Sequence, residues 1–189
     1  MPTSRWGALA LLLGLACHRS AETQGGPEGR QPPPPRLTAD ATAERVRVFL
    51  ISPGDGGRSG RAVGCGDSAV PVEVPLARPQ PALAGALSAL LAMRGSYDRS
   101  SGLVNALYAS PLALVRVERA GGLARVILSG YIELAGGCEN ARMVAELTET
   151  ARQFADVSRV ELILDGQPLA ALLQAGAPLA GPPPAAPPR

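Results

Sequence analysis

Two runs of alternating apolar residues flank a pair of glycines in residues 112–128, LALVRVERAGGLARVIL. Alternation of apolar and polar residues is typical of a strand that buries one face. Gly121 and Gly122 supply the positive φ angles that a tight hairpin turn requires. The sequence therefore predicts a β-hairpin with strands over residues 112–118 and 124–128.

The residues before this hairpin predict two strands, a loop and a helix. Residues 45–51, RVRVFLI, alternate and then become continuously apolar, which indicates a strand; residues 52–66 are rich in glycine and indicate a loop. Residues 69–74 predict a second strand, which Pro71 restricts to a sheet edge because proline donates no backbone N–H. Pro81 is a favoured first-turn residue and opens a helix. The apolar stripe of that helix consists of Leu83, Leu87, Leu90 and Leu91.

The rest of the domain predicts a short turn, a second helix and a last strand. Residues 102–108 predict a helical turn with Leu103, Ala106 and Leu107 inside. Residues 139–154 predict an amphipathic helix, and residues 160–164 a strand that ends at the turn Asp165-Gly166. The buried stripe of this helix is Met143, Val144, Leu147, Ala151 and Phe154, and its water-facing side is Glu146, Glu149 and Arg152.

These elements predict the fold class and the domain organisation. Strands and helices intermingle without strict βαβ alternation, which favours a compact α+β domain with one mixed sheet and two main helices on one face. We expect a signal peptide over residues 1–17, a proline-rich linker over 18–43, the domain over 44–170, and a disordered Pro/Ala-rich tail over 171–189. Most of the 19 prolines lie outside the domain, in segments too poor in large apolar residues to form a core.

The charge pattern argues against a nucleic-acid partner. The chain carries a formal net charge of +2, all its cations are arginines, and within residues 44–170 the 13 arginines equal the 13 acids. A nucleic-acid surface needs basic residues gathered on one face, whereas these arginines alternate with acids. The pattern indicates a mixed solvated surface.

The first residues predict export. Arg5 precedes an apolar run, residues 6–16, which is shorter than the roughly 20 residues of a membrane span and resembles a secretory signal. Two cleavage routes remain open. Leu15-Ala16-Cys17 resembles the end of a bacterial lipobox, which would make Cys17 a lipidated residue and the linker a stalk. Ordinary signal peptidase cleavage after Ala16 would instead release a soluble extracytoplasmic protein.

The composition excludes several kinds of active site. His18 is the single histidine and lies outside the domain, so a Ser-His-Asp or Cys-His pair has no base there and a multi-histidine metal site is excluded. Without lysine there is no P-loop lysine and no Schiff base. We predict no catalytic residue, no cofactor and no metal. Cys65 and Cys138 lie beside glycines in predicted loops, and in an exported protein they favour a disulfide over two buried free thiols.

An ordered set of phrases resembles the GerMN domain of the sporulation and spore germination family. The phrases are RVRVFLI (45–51), VGCGDSAVPVEVP (63–75), residues 83–92, LVNALY (103–108), VRVER (115–119), GLARVILSG (122–130), GGC (136–138), LTETARQF (147–154) and VELILDG (160–166). The resemblance covers residues 44–170. It implies an extracytoplasmic domain, often part of a bacterial lipoprotein, whose α+β fold is similar to ring-building motifs.

Three functions from different classes follow as hypotheses. The first, which we favour, is a non-enzymatic interaction or scaffold module of the cell envelope, anchored in the membrane by lipid, whose partner is an unidentified envelope protein or another copy. The second is an extracytoplasmic domain that binds a small molecule or glycan through Tyr97, Tyr108 or Tyr131, although Tyr108 is expected in the core. The third is a hydrolase that uses paired carboxylates.

Overall fold

The computed structural model describes residues 36–95, 97–98 and 101–175, and the predicted α+β class is confirmed. The strands are β1 Thr42–Ser52, β2 Arg61–Val63, β3 Asp67–Pro81, β4 Tyr97–Asp98, β5 Leu103–Val104, β6 Leu112–Ala120, β7 Leu123–Gly130, β8 Arg159–Leu164 and β9 Gln167–Pro168. The helices are α1 Ala82–Ala92, α2 Gly137–Arg152 and α3 Leu169–Ala175, and a 3₁₀ turn covers Gly64–Gly66.

The strands divide between two sheets, where the sequence suggested one. The N-terminal sheet has the order β2-β3-β1-β5-β4 and is antiparallel, and all of its strands lie within residues 42–104. The C-terminal sheet, within residues 112–168, has the order β6-β7-β8-β9, with β8 parallel to β7. On the side that faces away from β3, which we call its outer edge, β1 pairs with β5 only at Ile51, and residues at the end of α2 bond the strand before that point. The Phe49 N–H donates to Thr150 Oγ1 at 3.0 Å, and Gln153 Nε2 donates to the Arg47 carbonyl at 2.7 Å.

Prolines close the outer edge of β3. Among the described strands, β2 pairs with β3 only as far as Ala69, so the remainder of β3 is an edge, as Pro71 predicted. Phe49 is opposite Pro71 and its N–H points away from β3, so Pro71 occupies a position whose amide would also point outward. Pro75, four residues on and opposite Arg45, has the same orientation. This edge therefore lacks two of the donors that another strand would need.

The predicted hairpin and first helix are confirmed. Gly121 and Gly122 have φ values of 54° and 78° in the two-residue turn between β6 and β7. A register shift between Leu114 and Arg116 leaves Val115 52% exposed on this strand. The leucines of α1 are all buried against β1 and β3. Helix α1 also contacts β6 and α2, so both sheets share one apolar core.

Helix α2 forms where it was predicted, but two of its acids were placed on the wrong face. Glu146 is fully buried and Glu149 is 8% exposed, whereas the sequence placed both in water. The physical reason is that α2 packs against β1, β8 and α1 together, so more than its apolar stripe is covered. Arg152 is exposed, as expected.

The described domain is longer at both ends than predicted. Ala39 is buried and its N–H donates to Asp156 Oδ1 at 2.8 Å, and β1 begins at Thr42, so the last residues of the predicted linker 18–43 belong to the domain. Helix α3 extends to Ala175, inside the predicted tail 171–189. The predicted turn over residues 102–108 is instead the short strand β5 followed by turns, with Leu103, Ala106 and Leu107 buried as expected.

Candidate functional site

A disulfide joins the loop before β3 to the start of α2. The structure bonds Cys65 to Cys138, with their Cα atoms 5.7 Å apart and a sequence separation of 73. Cys65 adopts a positive φ of 65°, an uncommon conformation for a residue with a side chain. The lipidation candidate, Cys17, and the rest of the predicted signal peptide lie outside the described residues.

Two aspartates organise the loop beside this disulfide. Asp67 is buried, accepts from the Gly54 N–H at 2.7 Å, and pairs with Arg142 Nε at 2.8 Å. The Arg142 hydrogen bond holds the pKa of Asp67 below its ordinary value. Asp55 accepts from the Ser68 hydroxyl, which is the main cause of its lowered pKa. These bonds satisfy the carboxylates within the loop, and the described residues contain no cluster of three or more metal-ligating side chains.

A buried carboxyl group lies at the centre of α2. Glu146 Oε1 accepts from the Ala106 N–H at 2.9 Å, while Oε2 is buried without a hydrogen-bond partner in the part of the chain that the structure describes. Burial raises the pKa of Glu146 to about 8 from an ordinary 4.5. Asn105 holds the same segment in place, since its Nδ2 donates to the Met93 carbonyl and its Oδ1 accepts from the Leu107 N–H. Glu146 is thus an anchor for the segment after β5.

An arginine-lined groove lies between the outer edge of β1 and the C-terminal turn of α2. It encloses about 250 Å³ and its walls include Val46, Phe49 and Phe154. Five arginines line it against two acids, so its formal charge is +3. The charged residues are Arg36, Arg45, Arg47, Arg61 and Arg152, with Glu73 and Glu149. We call this surface the arginine groove.

Ion pairs hold part of the arginine groove in place. Glu149 forms ion pairs with Arg61 at 3.0 Å and with Arg152 at 4.0 Å, and its side chain is only 10% exposed. Glu73 lies 3.6 Å from Arg45. Arg36 and Arg47 have no acidic partner within the described ranges, so their guanidinium groups are available to a ligand.

Sequence reasoning missed the arginine groove. Four of its arginines lie within residues 36–61, whereas Arg152 follows about 90 residues later, and only the spacing of Arg45 and Arg47 on one strand face signalled a shared surface. Of the tyrosines weighed as ligand contacts, Tyr108 and Tyr131 do not line it, and the side chain of Tyr97 lies outside the described part of the chain. Tyr108 was expected in the core but is 47% exposed, because it follows the anchored residues 105–107 on the outside of the turn. The Tyr131 hydroxyl donates to Glu133 Oε2 at 2.8 Å.

One sequence family and two solved structures are similar to this chain. The sequence model of the Germane family, described as sporulation and spore germination, matches residues 49–170. The fold is similar to the tandem GerMN domains of the sporulation protein GerM from Bacillus subtilis, with 13% identity and a TM-score of 0.44, over 72% of this chain and 43% of that one. The first GerMN domain of GerM gives 19% identity and a TM-score of 0.43, over 65% of this chain and 85% of that one.

The extent of these matches is uneven. This chain spans less than half the length of the tandem-domain structure. No curated protein sequence matches it.

Within the described residues, none of the helices has both the length and the apolar character needed to cross a membrane.

Proposed function

This chain belongs to the Germane family of sporulation and spore germination domains, and from that premise we propose that it is a non-enzymatic interaction module of the cell envelope. In this proposal Cys17 carries a lipid anchor, the proline-rich segment is a stalk, and the domain recruits a partner protein. The arginine groove is the binding surface. The observation that carries the proposal is the charge and composition of that groove.

The groove is suited to binding and poorly suited to acid–base chemistry. Arginine remains protonated at any physiological pH, so it attracts anions and donates hydrogen bonds but does not exchange protons with a substrate. The two acids of the groove are already occupied by ion pairs with Arg45, Arg61 and Arg152. Aromatic side chains and arginines are also the residue types enriched at protein interfaces, and the half-buried Phe49 lies in the wall.

Two observations support an extracytoplasmic location. The apolar run before Cys17 has the length and charge of a secretory signal. A disulfide persists in oxidising compartments and is rare where thiols are kept reduced, and the Cys65–Cys138 bond therefore favours export. An acylated Cys17 followed by a proline-rich stalk would hold the arginine groove at a distance from the membrane surface.

Site-specific photocrosslinking in intact cells tests the interaction. A photoreactive residue at position 36, inside the groove, is compared with one at position 159, an exposed arginine at the start of β8. We expect a discrete heavier adduct from position 36 and none from position 159. Only monomer at both positions, under conditions that capture a known envelope complex, would refute the interaction role.

The anchor has its own test. Mass spectrometry of the mature N-terminus should find a diacylated or triacylated Cys17, and Cys17→Ser should move the protein out of the membrane fraction. An unmodified N-terminal Cys17 in a soluble fraction would show that ordinary signal peptidase processes the chain. That result would remove the anchor and leave the interaction role standing.

A further inference from the structure

We propose that the arginine groove binds an extended acidic segment of a partner protein, with two carboxylate side chains at positions i and i+2 and an apolar side chain at i+4. This inference rests on the proposed function, because it names the chemistry of the partner. It follows from the order of side chains along β1, from the charge of the groove and from its apolar wall.

The order of side chains on β1 sets the spacing. Arg45, Arg47 and Phe49 alternate along one strand and all line the groove. Alternate residues of a strand lie roughly 7 Å apart on one face. An extended peptide lying along β1 has the same repeat, so it can present two acids to the arginines and one apolar side chain to Phe49.

The unpaired charge sets the sign of the ligand. Arg47 and Arg36 have no acidic partner among the described residues, and the groove carries an excess of three positive charges. Arg45 is paired with Glu73 only at 3.6 Å, and both side chains are more than half exposed, so an incoming carboxylate can compete for this guanidinium. Arginine binds carboxylates through two parallel hydrogen bonds, which favours acidic side chains as the recognised groups.

The walls of the groove favour a peptide over a simple phosphate. Phe49 is half-buried and supplies the accessible apolar surface beside the arginines, while Val46 and Phe154 are buried behind it. An inorganic phosphate or a headgroup would leave this apolar surface in water, whereas a peptide with an apolar residue covers it and gains the hydrophobic contribution. A peptide with two acids followed by an apolar residue therefore contacts both the arginines and Phe49.

The peptide binds through its side chains and does not add a strand to β1. The Phe49 N–H and the Arg47 carbonyl, which point toward the groove side of β1, are already bonded to Thr150 and Gln153. Strand addition requires free backbone groups on the edge. Affinity therefore depends on the arginines and falls with ionic strength, as expected for exposed ion pairs.

Fluorescence anisotropy with synthetic peptides tests this inference on the full-length chain. The probe is the labelled peptide Gly-Glu-Ser-Glu-Ser-Leu-Gly, and the matched control, Gly-Glu-Glu-Ser-Ser-Leu-Gly, has the same composition with adjacent acids. We expect the probe to bind more tightly than the control. We also expect Arg47→Ala to weaken binding about fivefold and the pair Arg36→Ala and Arg47→Ala about tenfold or more. Arg159→Ala, an exposed strand arginine outside the groove, should change the affinity less than twofold.

Each alternative result overturns a stated part of the inference. Equal binding of the two peptides refutes the i, i+2 spacing, and equal loss in Arg159→Ala and Arg47→Ala refutes the site. Displacement of the probe by inorganic phosphate at matched ionic strength, without any preference between the peptides, assigns the groove to simple anions. If the peptides do not bind while position 36 still crosslinks a partner in cells, the acidic partner is refuted and the proposed function is retained.

Discussion

Replacing Glu146 with glutamine should remove a pH dependence from the stability of the domain. Glu146 is fully buried on α2, and its pKa is raised to about 8 chiefly by burial, with a smaller contribution from the negative charge of Glu139. A glutamine has nearly the same shape and keeps an oxygen that can accept from the Ala106 N–H. The change therefore deletes the ionisation while it preserves the contact.

The sign and size of the effect follow from proton linkage. The folded state holds the Glu146 proton more tightly than the unfolded state, whose pKa is the ordinary 4.5. The stability that this proton provides is present below pH 4.5 and is lost as the pH rises to 8. The slope is about 1.4 kcal/mol per pH unit inside this window and flattens near pH 8, where the folded state is half ionised, so the wild-type chain should lose about 4 kcal/mol relative to Glu146→Gln by pH 8.

Urea unfolding measured at pH 4.5, 6 and 8 provides the assay. Circular dichroism is the appropriate signal, because the single tryptophan, Trp6, lies in the predicted signal peptide. The two proteins should have nearly equal free energies of unfolding at pH 4.5 and should diverge steadily above it. Glu44→Gln, at an exposed position, should follow the wild type. If wild type and Glu146→Gln stay parallel up to pH 8, the carboxyl is not held protonated and the argument from burial is wrong.

Three further changes test other parts of the structure. Replacing Cys65 and Cys138 with serine should lower the free energy of unfolding by about 4 kcal/mol, because the bond closes a loop of 73 residues. Urea unfolding midpoints of the protein with and without the bond measure this loss. Free thiols in the unreduced protein would contradict the pairing. Arg142→Ala should destabilise the domain by ~3 kcal/mol, because it leaves the Asp67 carboxylate buried without its cation. Thermal unfolding measures this loss of stability, and an unchanged midpoint would refute the role of that ion pair. Pro75→Val should restore an outward N–H on β3 and promote self-association, which sedimentation velocity would detect. A variant that stays fully monomeric at high concentration would show that proline does not protect this edge.

The local elements were predictable because their signals are local. The glycine pair specified the turn between β6 and β7, and helical spacing of leucines specified α1. Pro71 correctly indicated an edge, because the missing N–H excludes the interior of a sheet. Each of these inferences needed only residues within one element and its immediate neighbours.

The contacts between elements were not predictable in the same way. Apolar periodicity reports the most hydrophobic face of a helix, and α2 packs on three elements at once, so Glu146 and Glu149 were assigned to water. Thr150 and Gln153 bond the outer edge of β1 across about 100 residues of sequence, a contact that no local pattern indicates. The arginine groove depends on the same contact, since it forms where the end of α2 meets β1.

Two unpaired stretches of the N-terminal sheet, β3 beyond Ala69 and the outer edge of β1 before Ile51, become protected at different times during synthesis. The prolines of β3 are part of the strand itself, so that edge is closed as soon as the strand exists. The outer edge of β1 needs Thr150 and Gln153, which follow the last strand of this sheet by nearly 50 residues. At a translation rate of about 5–20 residues per second, the sheet could be complete for roughly 2 to 10 s while that edge remains open. During this interval the unbonded backbone groups of β1 are open to intermolecular strand pairing, and the slow formation of such non-local pairs limits it.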